Sequence, residues 1–129
     1  MLKPEVANDT TAAAPAALST REEQGVTVVG FAQRTLLDVA TVDDIAPALL
    51  ALAERPGPTR LVIDFANVSF LSSHALSLLL RLRRRADLTG GEILLAQLRT
   101  ELARLLRMTR LDKVFLTFES VDDAIRHFR

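Results

Sequence analysis

The segment Leu61–Phe65, reading LVIDF, constrains this chain more than any other stretch. Apart from Asp64 it is apolar on both faces of an extended backbone, and a strand of that kind must be covered from above and below. It therefore belongs in the middle of a sheet with helices on each side. The flanking residues agree. Upstream, Pro56, Gly57 and Pro58 stop a helix by removing donors and fixing φ. Downstream, residues 73 to 88 placed at 100° steps gather Ala75, Leu76, Leu79, Leu82 and Ala86 on one stripe. His74, Ser77, Arg81, Arg84 and Arg85 fall on the other side.

The remaining segments alternate in the same way. Gly25 to Phe31, with β-branched Val26, Val28 and Val29, has the composition of a strand, and a second short strand is expected from Thr35 to Asp38. Asp43 or Asp44 can cap a helix carrying Ile45, Leu49, Leu50 and Leu52. Gly90 and Gly91 permit a turn, Ile93 to Ala96 a strand, and Thr100 to Met108 a helix. Val114 to Phe118 supply a last strand, and Ser120 with Asp122 and Asp123 opens a terminal helix ending at Arg129. Residues 1–24, rich in Ala, Thr and Pro without an apolar period, are expected to form a disordered tail, leaving 25–129 as the domain. Strands alternating with helices over short links specify an α/β fold: one small domain with a four- to five-stranded, mostly parallel (mixed) sheet and about four helices. Sites then favour the loops at the carboxyl ends of the strands, of which Ala66 to Ser72 follows the central strand.

Composition narrows the function. Sixteen basic and sixteen acidic residues give zero formal net charge, so no global field draws the chain to nucleic acid or an anionic membrane. With no cysteine and two histidines 53 positions apart, no metal site is expected. No secretory signal or apolar run of membrane-spanning length is present, and a cytoplasmic location is the expectation. Phosphate-binding glycine loops and the nucleophile elbow are missing as well. Ser73 has no oriented base, because the side chain of His74 leaves a helix about 100° away. No enzyme activity and no cofactor are therefore expected. The run Arg81, Arg83, Arg84 and Arg85 lacks interleaved aromatics and reads as a solvated helix face.

From Thr59 to Phe115 the string TRLVIDFANVSFLSSHALSLLLRLRRRADLTGGEILLAQLRTELARLLRMTRLDKVF carries a series of short motifs. A D-F-x-x-V turn closes a central strand, an F-L-S-S segment opens a leucine-rich helix, and a G-G turn leads to an L-L-A strand and the phrase T-R-L-D-K-V-F. In that order and spacing they resemble the STAS domains of bacterial anti-sigma-factor antagonists, and the likeness extends more loosely over residues 25–129. The resemblance implies the STAS fold and a partner-switching regulator of transcription that binds a serine-kinase anti-sigma factor. It implies phosphorylation of a serine at the helix start, Ser73 in first place and Ser72 in second. Ser72 stands where many members carry aspartate, His74 replaces a small residue and Ala75 the usual glycine. Ser72, Ser73, His74, Ser77, Leu78 and Arg81 are the expected partner-binding residues. Nucleic acid and membrane are not expected as partners, and a homodimer is left open. The alternative is an unphosphorylated STAS scaffold subunit of a lipid-transport or sensory complex.

Overall fold

A five-stranded sheet lies between helices, and a two-stranded ribbon caps one of its ends. The computed structural model describes residues 16–128. In chain order the elements are β1 (Leu18–Glu23), β2 (Val26–Phe31), β3 (Thr35–Leu37), α1 (Val39–Leu52), β4 (Arg60–Asp64), β5 (Val68–Leu71), α2 (Ser73–Leu88), β6 (Glu92–Ala96), α3 (Thr100–Met108), a 3-10 turn (Leu111–Lys113), β7 (Thr117–Phe118) and α4 (Val121–His127). The main sheet runs β1-β2-β4-β6-β7, and β3 pairs with β5 in the ribbon. Only β1 is antiparallel to its neighbour. This is the mostly parallel α/β domain with four helices that the alternation of segments specifies.

β4 sits at the centre, with Leu61, Val62 and Ile63 all buried. Its side chains divide by the period of two. Leu61 and Ile63 join Val29, Ile93 and Leu95 against α1, α2 and α3, whereas Val62 joins Val28, Leu94 and Ala96 against α4. Each fully buried aliphatic side chain contributes roughly 1.5–3 kcal/mol of transfer free energy.

Four boundaries differ from the sequence expectations. Leu18–Glu23, placed in the tail, is a strand paired residue for residue with β2. Its turn, Gln24-Gly25, has φ of 54° and 79°, the doubly positive geometry of a two-residue hairpin turn. An edge strand held by main-chain bonds needs no apolar face, and four of its six residues are exposed; the domain thus begins before Gly25. The rest of the expected tail, residues 1–15, and the end of the terminal helix at Arg129 lie outside the described residues.

α1 starts at Val39, capped by Asp38 through the Thr41 amide, rather than at Asp43 or Asp44. Pro47 therefore sits in the helix interior, at an exposed position. Val68–Leu71, expected to be loop, forms β5. Finally, most of Val114–Phe118 is irregular, and only Thr117 and Phe118 pair with β6.

Candidate partner-docking site

The ribbon stands where β2 and β4 end, and both of its strands run directly into helices. Leu37 is followed by the cap Asp38 and α1, and Leu71 by Ser72 and α2. The two helix starts are joined at one atom. The carbonyl oxygen of Leu37 accepts from the Ser72 amide at 3.0 Å and from the Ser72 hydroxyl at 2.7 Å. The same hydroxyl oxygen accepts from the Ala75 amide at 3.1 Å, which makes Ser72 the N-cap of α2. On the solvent side His74 Nε2 lies 2.8 Å from Asp43 Oδ1, a second link between the helices.

These contacts divide the two serines. The Ser72 hydroxyl is half-buried and committed to the cap and to β3. Ser73, the first residue of α2, is exposed, and its hydroxyl has no hydrogen-bond partner among the described residues. Its surroundings combine polar and apolar surface. Leu36 and Phe70 are partners in the β3–β5 register and share the outward face of the ribbon, 50% and 46% exposed. Val39, in the first turn of α1, is 55% exposed. Large apolar side chains left in water beside a helix start are the kind of surface a partner covers.

His74, Ser77 and Arg81 are exposed along α2, as expected. Leu78 is not: it is 4% exposed and belongs to the core, because α1 packs closely enough beside α2 to widen its buried stripe. Leu78 is therefore removed from the surface set. Leu36, Val39 and Phe70 were not foreseen. The V-S-F-L pattern at 68–71 carries a weak strand signal, but its pairing with a short segment far back in the chain leaves no local trace.

The four-arginine run separates into two classes. Arg83 donates to the Val114 carbonyl at 3.2 Å and pairs with Asp87, and Arg85 pairs with Glu54. Arg81 and Arg84 are exposed and have no ion-pair partner among the described residues. Two carboxylates are held below the usual range. Asp38 is lowered mainly by the Thr41 amide that it caps, and Glu22, in β1, by the Thr27 hydroxyl and then by Arg55. Among the described residues no cluster of three or more His, Cys, Asp or Glu is placed to hold a metal ion, and no helix is long and apolar enough to cross a membrane.

The order and direction of these strands, with a helix opening directly from each strand of the ribbon, define a class of small α/β domain. The chain matches the STAS domain family over residues 17–124 and belongs to it. A STAS-domain anti-sigma-factor antagonist protein from Planctomyces limnophilus is 25% identical with a TM-score of 0.79, the match covering 85% of this chain and 96% of that one. An anti-sigma factor antagonist from Mycobacterium paratuberculosis is 29% identical with a TM-score of 0.68, covering 88% and 96%. The same fold occurs inside the murine anion transporter Slc26a9, at 16% identity and a TM-score of 0.71, covering 95% of this chain and 24% of that one. A fold shared by a regulator and a transporter does not by itself assign function, which has to come from the site.

Proposed function

We propose that this chain is an anti-sigma-factor antagonist of the partner-switching type, a non-enzymatic cytoplasmic regulator of transcription. In its unmodified form it docks a serine-kinase anti-sigma factor on the face made by Leu36, Phe70 and the first turns of α1 and α2. Phosphorylation of Ser73 by that kinase ends the association. One observation carries this reading: of the two adjacent serines, only Ser73 presents a free, exposed hydroxyl, and it does so beside exposed apolar side chains. The likeness to antagonists from two organisms supports it.

The physics of a helix start suits the switch. The N-terminus carries about half a positive elementary charge and unpaired amides, so it tolerates a phosphate on its first residue without unfolding. The phosphate adds roughly −1.5 to −2 charges to a surface that a partner must desolvate, and binding is lost while the fold is kept.

The test is incubation with the kinase and ATP, followed by mass spectrometry. One phosphate is expected on the wild type and none on Ser73→Ala; a phosphate retained by Ser73→Ala defeats the site. Ser73→Asp should weaken binding about a thousandfold, or roughly 4 kcal/mol. In the competing assignment the chain is an unmodified scaffold subunit of a lipid-transport or sensory complex, and the family departures at Ser72, His74 and Ala75 favour it. That assignment requires a stable partner whose affinity is indifferent to Ser73→Asp.

A further inference from the structure

The exposed face of α2 carries a charge pattern that the switch itself does not explain. Ser73, Ser77, Leu80, Arg81 and Arg84 are spaced at successive turns and fall on one stripe, and all five are exposed. Arg83 and Arg85, from the same run, turn away to Val114, Asp87 and Glu54. Two acids on or against α2 are also engaged, Asp43 with His74 and Asp87 with Arg83. Two guanidinium groups are thus left without counter-ions among the described residues, on the very stripe that starts at Ser73, in a chain whose total charge is zero.

We propose that Arg81 and Arg84 are the electrostatic half of the docking face and recognise an acidic surface of the protein partner, two carboxylates set one helical turn apart. The inference rests on the partner-switching reading, since it names the chemistry of the same partner. Guanidinium forks suit bidentate pairing with carboxylates. Leu80, the chain neighbour of Arg81 on this stripe, is 38% exposed and adds apolar surface beside the charged groups. A protein partner fits better than nucleic acid, because two arginines without neighbouring aromatics provide neither a phosphate track nor a stacking platform.

The pattern also gives the phosphate a second action. Ser73 and Arg81 are eight residues apart, roughly 12 Å along a helix axis, which is about one and a half Debye lengths at physiological salt. A Ser73 phosphate would weaken the pull of the nearer guanidinium and place an anion against the amino end of the partner's acidic surface. Attraction would fall off at the Ser73 end of the stripe.

The experiment uses the full chain and each purified serine-kinase anti-sigma factor of the source organism, immobilised in turn on a biosensor. Against the kinase that binds, the double variant Arg81→Glu/Arg84→Glu should associate roughly tenfold to a hundredfold more slowly than wild type. Raising NaCl from about 50 to about 300 mM should slow the wild type and speed the charge-reversed variant, whose repulsion it screens. A thermal melt matching wild type shows that the variant is folded; Arg81→Ala/Arg84→Ala provides the same reading if charge reversal disturbs it. Equal association rates for wild type and variant overturn the proposal while leaving the switch intact. If Ser73→Asp binds as wild type does but the arginine variant is weakened, the switch fails and the acidic partner stands. Binding of a uridine 20-mer that is lost in the arginine variant would reassign the stripe to RNA. Failure of every kinase to bind the wild type overturns both readings.

Discussion

The two ends of α2 are built on opposite principles. At its carboxyl end the chain leaves no freedom. Gly90, at φ 75°, takes the left-handed position, Gly91 N–H returns to the Ala86 carbonyl at 2.8 Å and Gly90 N–H to that of Asp87 at 3.2 Å, the paired bonds of a Schellman cap. Gly91 then passes so close to Thr59 that a Cβ would stand 2.1 Å from its carbonyl oxygen. The buried hydroxyl of Thr59 lies 3.0 Å from that of Thr89, tying the helix end to the start of β4. At the amino end, by contrast, one serine holds the helix and the next is left in water among uncovered apolar side chains. Backbone constraint is concentrated at the carboxyl end, so the proposed docking end can carry surface that contributes little to folding.

The contrast can be broken most severely at Gly91. Gly91→Ala forces backbone against backbone and should cost about 3 kcal/mol or more, read as a lowered midpoint in urea. A variant within about 0.5 kcal/mol of wild type would show that the junction yields. Next in size is Ser72→Ala, which removes the cap and the hydroxyl bond to Leu37; a loss of about 1–2 kcal/mol is expected. Ser73→Ala, one residue on, should stay within about 0.5 kcal/mol, and similar melts for the two alanine variants would erase the distinction between the serines.

Leu36→Ser and Phe70→Ser sharpen the comparison from the other side. Each should alter stability by no more than about 0.5–1 kcal/mol, yet reduce binding to the kinase about tenfold or more. The smallest effect is on pH. The folded pKa of Asp38 lies below its unfolded value, so its contribution is present above the ordinary carboxylate range and is lost as pH falls through the folded value. Glu22 acts in the same direction in the hairpin. Unfolding midpoints followed from neutral to acid pH should therefore decline less steeply in Asp38→Asn, and parallel profiles would remove the cap from the account.

Much of this architecture could be read from residue order. β4, the ends of α2 and the span of α3 follow from apolar period and from Pro and Gly punctuation. The polar strand β1 could not be read in this way, because its stability comes from main-chain bonds and turn geometry. α1 starts earlier than Asp43 or Asp44 because Asp38 caps it, which leaves Pro47 in the interior, a place proline ordinarily avoids. At the site, the family resemblance pointed to Ser73, and helical spacing put His74, Ser77 and Arg81 on the surface. It misjudged Leu78, because the width of a buried stripe depends on the neighbouring helix. Leu36 and Phe70 become neighbours only through a parallel pairing between distant segments.

The shared acceptor at Leu37 has a consequence for how the surface can be altered. Two helices and two strands meet at a single oxygen, so the parts of the proposed docking platform are tied to one another beneath its surface. Association then requires little ordering of this chain. Partner preference can be retuned by exchanging outward-facing side chains, with the scaffold beneath them left as it is.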